Sequence, residues 1–311
     1  MAIFLFYLLK AVRPRQWIKN VAVFAPIVFT GQLFNFPLLL TSVAAFVIFC
    51  FVSSGSYLIN DILDIERDRQ HPFKKLRPIA SGKITTPVAF FTSFILVATG
   101  FLWAFSINTP FFLAILSFFL LHMFYSFVLK HLPVLDIMAI AFGYFIRVYA
   151  GEFATGYHLP IWLSLCVMSL SLFLAIGKRR AELTLLLGYS GTALKTRPTL
   201  GHYSERLLDV YTGMFANSTW ITYAFYTFLE KPPIMSQRIN ALFLDFFPDI
   251  TERKWLMITI PFVLFGIMRY MQLIYEKQEG ESPEKVVTTD IPLLLTALLY
   301  GLTVIIIIYF L

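Results

Sequence analysis

Residues 37–68 read PLLLTSVAAFVIFCFVSSGSYLINDILDIERD, and this stretch decides the fold class. About twenty almost wholly apolar residues come first, enough for a helix to cross the hydrocarbon core of a bilayer. They run directly into four acidic side chains, and a His and a group of Lys and Arg follow within ten residues. The stretch therefore predicts a transmembrane helix that carries a polar group at its end.

The composition of the whole chain agrees with a membrane protein. Of 311 residues, 58% are hydrophobic and only 14% are charged, whereas a soluble domain is about half apolar and a quarter charged. We expect an all-α polytopic protein whose outer surface contacts membrane lipids, with no nucleic-acid partner. The two cysteines, Cys50 and Cys166, lie in apolar runs without neighbouring metal-ligand residues, so no zinc site or disulfide framework is expected.

Apolar runs of membrane-spanning length recur along the chain. They lie near residues 16–31, 37–59, 86–106, 110–129, 134–153, 160–177, 209–229, 255–275 and 291–311. These runs predict a single domain, residues 1–311, with about nine transmembrane helices around a central polar cavity open to the cytosol. The segment 231–254 is left open, as an external interfacial helix or a loop.

The distribution of basic residues predicts the orientation. With nine spans, 20 of the 25 Lys and Arg residues fall on one side, four on the other, and Arg147 lies within a span. Because cytoplasmic connections carry the excess of Lys and Arg, the N-terminus and the long charged loops are expected to be cytoplasmic. We therefore predict a multi-pass protein of the cell membrane.

The acidic motif at the end of the second run, Asn60, Asp61, Asp64 and Asp68, points to metal binding. At 100° per residue these four positions fall within one quadrant of a helix, whereas Glu66 points elsewhere. Three carboxylates so close repel each other unless a cation lies among them. Oxygen ligands without thiols favour Mg²⁺, which takes one or two carboxylates together with substrate phosphates. The alternative is a solvated helix end whose carboxylates pair with neighbouring arginines.

A basic segment follows the acidic motif. Lys74, Lys75 and Arg77 lie within four residues, between Pro72 and Pro78. Lys and Arg beside a metal site would complete an anion-binding cradle, and we expect Lys74 and Arg77 to bind a substrate phosphate. Contact with anionic lipid head groups is the alternative.

Further charges are expected near the same cavity. Tyr125 and Lys130 end one span on the cytosolic side, and Arg147 lies deep in the next. An Arg at that depth needs a partner, either Glu152 or another interior acid, or a substrate phosphate.

Two more clusters lie at predicted helix ends. Lys178, Arg179 and Glu182 end the sixth span, where a Lys178–Glu182 salt bridge is the simple alternative to a binding site. Lys19 lies in the basic segment 13–20, which reads equally well as a membrane anchor or as part of the site.

Residues 60–82, NDILDIERDRQHPFKKLRPIASG, resemble the first Asp-rich motif, NDxxDxxxD, of the UbiA-type intramembrane prenyltransferase superfamily. The chain is most similar to the branch that makes decaprenylphosphoryl-5-phosphoribose. That similarity rests on RPRQWIKN (13–20), DRQHPFKKLRPIASG (68–82), YSFVLKHLPVLDI (125–137), GYFIRVYAG (143–151) and GKRRAEL (177–183).

The resemblance implies a Mg²⁺-dependent enzyme. The enzymes of this branch move 5-phosphoribose from 5-phosphoribosyl diphosphate onto a polyprenyl phosphate, a step toward arabinose donors for the cell wall. Asp61, Asp64 and Asp68 would then be the catalytic, metal-binding residues, with Asn60 beside them and the cations above on the phosphates. His71 could orient a phosphate.

One departure from the wider superfamily separates the alternatives. A typical prenyltransferase carries a second motif, DxxxD, where this chain has GKRRAEL, with one acid among three cations. That difference favours the phosphoribosyl branch over an aromatic prenyltransferase that uses a prenyl diphosphate. A transporter or flippase for anionic lipids is the alternative from another class. The polyprenyl chain length and the oligomeric state, including a homo-oligomer, are left open.

Overall fold

The computed structural model describes residues 2–70, 74–187, 198–230, 254–277, 286 and 288–310, and within these ranges it contains helices and no strand. The α-helices are α1 Ala2–Val12, α2 Ala25–Phe29, α3 Phe36–Leu63, α4 Ile65–Gln70, α5 Thr86–Ile107, α6 Thr109–Phe127, α7 Leu135–Thr155, α8 Ile161–Leu187, α9 Glu205–Leu229, α10 Ile260–Lys277 and α11 Ile291–Tyr309. Short 3₁₀ helices cover Pro14–Phe24, Lys74–Leu76, Leu129–His131, Pro198–His202 and Trp255–Thr259. The predicted all-α class is confirmed.

Four of the long helices begin with the same local signal. A residue in an extended conformation, Asn35, Thr85, Asn108 or Asp290, is followed two positions later by Pro. The proline lacks an N–H that would have no partner in the first turn, and its fixed φ suits a helix start. At Asn108 and Asp290 the side chain also accepts a hydrogen bond from the backbone N–H three residues later. The helix boundaries are thus set locally.

Seven helices in the described residues are long and apolar enough to cross a membrane. They are α3, α5, α6, α7, α8, the helix covering Trp255–Glu276, and α11. The predicted count of nine is not confirmed. The predicted span 209–229 lies within α9, which has 25 residues but is less apolar. The predicted span 16–31 is divided between the 3₁₀ helix Pro14–Phe24 and the five residues of α2.

The 3₁₀ helix Pro14–Phe24 packs between α3 and α7. Every third side chain faces the bundle, as three residues per turn require. Trp17 donates from its indole to the Ser54 hydroxyl (3.0 Å), and Val23 is fully buried. At Gly151 of α7, a Cβ atom would lie 2.1 Å from the Val23 carbonyl oxygen, so only glycine allows this approach.

The polar interior lies where the 3₁₀ helix Pro14–Phe24, α3, α6, α7 and α8 meet, while apolar side chains cover the outside. Leu102 on α5 and Ile161 on α8, for example, are 76% and 78% exposed, as side chains that face lipid would be. This arrangement confirms the predicted polytopic bundle with a central polar cavity. The segment 231–254, apart from Lys254, and His71 lie outside the described residues.

Candidate active site

A cavity of about 250 Å³ opens at the end of the bundle where α3 passes into α4. Its wall carries eight Lys or Arg side chains and three carboxylates, so basic groups outnumber acidic ones by five. The cations are Arg13, Lys19, Arg67, Lys74, Arg77, Lys130, Arg147 and Lys178, and the acids are Asp64, Asp68 and Glu182. Eleven of the thirteen residues predicted for the site line this cavity, and Asp61 and Arg179 do not. Such a cavity favours a ligand with several negative charges.

The acidic motif is divided between two helices. Helix α3 ends at Leu63, Asp64 is its C-cap, and Asp68 lies on the short helix α4. Asn60 also lines the cavity, and its side-chain oxygen accepts a hydrogen bond from the Ser126 hydroxyl (2.9 Å). The break after α3 lets Asn60, Asp64 and Asp68 face the same space.

Asp61 differs from the rest of the motif. Its carboxylate is buried, pairs with Arg13, and accepts a hydrogen bond from Arg77 at 2.9 Å. The same guanidinium nitrogen of Arg77 lies 2.6 Å from Asp68. Asp61 therefore fastens the N-terminal segment and the basic loop to α3. For this residue the structure matches the alternative of a carboxylate paired with arginines, although the partners are distant in sequence.

Burial and charge act against each other in this cluster. Burial lowers the pKa of Arg13, but the adjacent Asp61 carboxylate, together with Tyr57 and Asp68, raises it, and the net shift is upward. Burial raises the pKa of Asp68, and the neighbouring Arg77 opposes that shift only in part. Asp68 is thus a carboxylate whose charge is stabilised when a further cation approaches.

The predicted metal site fits in a reduced form. In the described parts of the chain, no three His, Cys, Asp or Glu side chains are arranged to hold a metal ion, so the three-carboxylate site is not preformed. Asp64 and Asp68, with Asn60, nevertheless line one cavity. Two carboxylates suit Mg²⁺, which completes its coordination with water and substrate phosphates. These residues therefore fit a magnesium–diphosphate group.

Lys130 closes one side of the cavity beside the motif. Its ammonium lies 2.6 Å from Asp64, and its backbone carbonyl accepts a hydrogen bond from the Thr199 hydroxyl. Arg67 approaches Asp64 at 3.7 Å from the exposed side. Within the described residues, Lys130 pairs with Asp64 and with no other carboxylate of the acidic motif. Both side chains line the cavity.

Arg179 lies behind the cavity wall. Its side chain is 0% exposed and pairs with Asp136 (2.7 Å) and Glu182 (2.8 Å), and it donates to the Tyr125 hydroxyl (2.9 Å). The predicted direct contact between Arg179 and substrate is therefore not supported. Asp136 also accepts a hydrogen bond from the Tyr203 hydroxyl at 2.7 Å. The group links α6, α7 and α8 and positions Tyr125 and Glu182, which do line the cavity.

Glu182 connects this buried group to the basic loop. One carboxylate oxygen accepts from Arg179, and the other lies 3.3 Å from the ammonium of Lys74. Lys178, one residue before Arg179, lines the cavity. Within the GKRRAEL segment, Arg179 and Glu182 therefore form an ion-paired brace behind the cavity wall, while Lys178 lies on the wall itself.

Arg147 lies deep in the cavity wall. Its Nε donates to the Asn20 side-chain oxygen (2.8 Å) and its Nη1 to the Gly143 carbonyl (2.6 Å). The predicted alternative partner Glu152 instead lies 2.6 Å from His158 and accepts from a backbone N–H. In the described ranges, no carboxylate forms an ion pair with Arg147.

Several cavity residues were not singled out from the sequence. They are Gln16, Tyr57, His122, Ser126, His131, Tyr144 and Thr199, while Arg13 was expected only as part of a basic segment. Lys19 lies 5.9 Å from the centre of the Tyr144 ring. Tyr57 was detectable in principle, because it stands one helical turn before Asn60 and therefore shares its face. The others come from faces that no local pattern marks.

Comparison with known proteins shows which family has a similar sequence. The profile of the UbiA prenyltransferase family matches residues 21–286. The decaprenyl-phosphate phosphoribosyltransferase of Corynebacterium glutamicum is 33% identical over 308 residues, which cover 97% of this chain and 86% of that protein. The protein of the same name from Mycolicibacterium smegmatis is 35% identical over 290 residues, 91% of this chain and 86% of that protein.

A solved structure shows the same fold. The UbiA homolog from Archaeoglobus fulgidus bound to GPP and Mg²⁺ aligns with a TM-score of 0.67 at 21% identity, over 97% of this chain and 99% of that chain. The family profile covers most of the sequence, and the acidic motif lies at the end of a membrane span in a polar cavity. On these grounds the chain belongs to the UbiA prenyltransferase family.

Proposed function

We propose that this protein transfers 5-phosphoribose from 5-phosphoribosyl diphosphate to a polyprenyl phosphate of the decaprenyl type, with release of diphosphate. The product would serve as a precursor of arabinose donors for the cell wall. The observation that carries the proposal is the cavity in which eight basic side chains outnumber three carboxylates. Two phosphorylated substrates require such an excess of positive charge, and the names of the relatives support the same reaction.

The donor's diphosphate is assigned to the acidic motif. Asp64 and Asp68, with Asn60, would hold Mg²⁺, and the solved structure of the same fold with Mg²⁺ supports this choice of metal. When bound, Mg²⁺ supplies charge stabilisation to the departing diphosphate. Lys74 and Arg77 line the same part of the cavity and neutralise further phosphate charge.

The transfer exchanges one C–O bond at the ribose C1 for another. The bond from C1 to the diphosphate oxygen breaks, and its electron pair leaves with the diphosphate. A phosphate oxygen of the acceptor lipid forms the new bond to C1, which carries oxocarbenium-like charge during the exchange. Because a phosphate monoester is already anionic near neutral pH, the site needs no strong general base. Lys19, Lys130, Arg147 and Lys178 are available for the remaining phosphates.

The brace behind the wall argues against an aromatic prenyltransferase. A second metal-bound prenyl diphosphate would need free carboxylates on α8. Glu182 of α8 is instead held by Arg179 and Lys74, and Asp136 of the neighbouring helix α7 is held by Arg179. We further propose that the cavity opens toward the cytoplasm, the side to which the basic residues assign it.

The test is transfer of radiolabelled ribose by purified protein in detergent, with geranyl diphosphate and an aromatic acceptor in a parallel reaction. We expect ribose transfer that depends on Mg²⁺, and no prenyl transfer. Asp64→Asn should reduce the rate by about 100-fold or more, because it removes a metal ligand whose charge stabilisation is worth several kcal/mol.

Glu66→Gln is the matched control. Glu66 lies two residues away on α4, is 82% exposed at its side chain, and pairs only with Arg69 among the described residues. Its rate should stay within about twofold of wild type, as for most surface changes. Normal turnover and unchanged Mg²⁺ dependence in Asp64→Asn would contradict the proposed site, and prenyl transfer would contradict the proposed reaction.

A further inference from the structure

Helix α1 presents apolar side chains to the outside of the bundle. Its inner face packs through Ala11 against Leu58 of α3 and Ile84, just before α5. Its outer face carries four exposed apolar side chains, Ile3, Leu5, Phe6 and Leu9. With 11 residues, α1 is about 16 Å long and does not cross a hydrocarbon core of about 30 Å. Because it packs near the end of α3, α1 lies in the leaflet on the side of the acidic motif.

A second, smaller pocket of about 220 Å³ lies beside α1. We call it the side pocket, and it is lined by Lys10, Ala11, Arg13, Asp61, Leu76, Arg77 and Pro78. Two of its three cations, Arg13 and Arg77, are already balanced, because they pair with Asp61 and, for Arg77, also with Asp68. Among the described residues, no carboxylate pairs with the third cation, Lys10. The side pocket therefore keeps a positive charge at its exposed edge.

A second lysine lies on the same side of α1. Lys83 donates a hydrogen bond to the Tyr7 hydroxyl (2.6 Å), and its ammonium lies 4.3 Å from the centre of the Tyr7 ring. Lys10 follows Tyr7 by three residues, so it lies about one helical turn further along the same side. Both lysines are exposed. Two ammonium groups thus border an apolar surface, which is the arrangement that attracts lipids with a negatively charged head group.

We propose that the side pocket and the outer face of α1 together bind an anionic phospholipid of the surrounding membrane. Lys10 pairs with the head-group phosphate, Lys83 adds attraction, and the acyl chains lie along Phe6 and Leu9. A soluble phosphate would leave this apolar face unused.

The proposed lipid is distinct from a substrate of the transfer reaction. Asp61 lines only the side pocket, whereas Asp64 and Asp68 line only the central cavity. Arg13 and Arg77 line both spaces and pair with Asp61 between them. A phosphate held beside Lys10 is therefore separated from the acidic motif by these ion pairs.

The first test measures thermal unfolding of the purified protein in a neutral detergent. Dioleoyl phosphatidylglycerol, which is anionic, or dioleoyl phosphatidylcholine, which is zwitterionic, is added in increasing amounts. The variants are Lys10→Gln, the double variant with Lys83→Gln, and Arg206→Gln as a matched control. Arg206 is exposed at the start of α9, at the same end of the bundle, and it does not line the side pocket.

Phosphatidylglycerol should raise the unfolding temperature of the wild-type protein, because a ligand that binds the folded state stabilises it, and phosphatidylcholine should not. Lys10→Gln should raise the half-saturating concentration of phosphatidylglycerol about fivefold, and the double variant about 25-fold. Arg206→Gln should leave that concentration unchanged.

The second test locates the lipid. Leu9→Cys on α1 and Val210→Cys on α9 are labelled separately with a fluorescent thiol reagent. These positions are 53% and 61% exposed, whereas the native Cys50 and Cys166 are buried. Brominated phosphatidylglycerol should quench the label at residue 9 more strongly than brominated phosphatidylcholine does, and the two lipids should quench the label at residue 210 equally.

Three results would overturn the proposal. The first is equal stabilisation by the two phospholipids, or a half-saturating concentration that Lys10→Gln leaves unchanged. The second is equal quenching at residue 9 by the two brominated lipids. The third is stabilisation by farnesyl phosphate, but not by phosphatidylglycerol, that Lys10→Gln weakens, because the occupant would then be the acceptor lipid. Neither test measures ribose transfer, so failure of the proposed reaction would leave the lipid site standing.

Discussion

Replacing Arg179 by Met should destabilise the protein far more than the same change at its neighbour Arg180. Arg179 is 0% exposed and pairs with two carboxylates, those of Asp136 and Glu182, which are themselves buried. Removing the guanidinium leaves both without their main partner, and breaking a buried ion pair in this way costs about 3–5 kcal/mol. At about 2 °C per kcal/mol for a chain of this size, the unfolding temperature should fall by about 6–10 °C.

Arg180 provides the comparison on the same helix. Its partners Glu205 and Asp209 have side chains that are 44% and 41% exposed, so water replaces the lost guanidinium. Ion pairs with exposed partners contribute about 0.2–1 kcal/mol each, and Arg180→Met should therefore lower the unfolding temperature by about 1–4 °C.

The assay is the temperature at which the detergent-solubilised protein loses its monodisperse peak on size-exclusion chromatography. A double variant, Asp136→Asn with Arg179→Met, tests the mechanism, because it removes one of the two stranded carboxylates. It should be more stable than Arg179→Met alone. Equal unfolding temperatures for the Arg179 and Arg180 variants, or a double variant no more stable than the single one, would refute the assignment of a buried brace.

Two further predictions concern packing and orientation. Gly151→Ala should lower stability by about 3 kcal/mol or more, because its Cβ would meet the Val23 carbonyl at 2.1 Å. Gly213→Ala in α9 meets nothing within 4 Å and should be neutral or stabilising by up to about 1 kcal/mol in the same unfolding assay. For orientation, the exposed positions Lys75 and His158 are changed singly to Cys and treated with an impermeant thiol reagent on intact cells. His158→Cys should react and Lys75→Cys should not, and the reverse pattern would invert the proposed topology.

The fold and most of the cavity wall follow from features that are local in sequence. An apolar run of about twenty residues must become a helix in lipid because its backbone has no other hydrogen-bond partners. Polar residues within or at the ends of such runs, such as Asn60, Lys130 and Arg147, must then face the interior. This reasoning placed these residues correctly at the cavity.

The errors come from partners that are distant along the chain. Asp61 and Arg179 resemble their neighbours in sequence, yet Asp61 meets Arg13 and Arg179 meets Asp136. No periodicity in one segment reveals which helix will pack against it. The placement of Asp68 also depends on the end of α3 at Leu63, which a continuous helix at 100° per residue does not anticipate.

The winding of the segment Pro14–Phe24 has a consequence for how this protein can change over time. With 120° between successive residues, Gln16 and Lys19 lie in one straight row along the cavity, whereas an α-helix would rotate the second by about 60° from the first. Replacing one of these side chains alters a single contact. Inserting or deleting one residue would turn the whole row by a third of a circle and point it into the neighbouring helices. Length, more than composition, is therefore what selection must preserve in this segment.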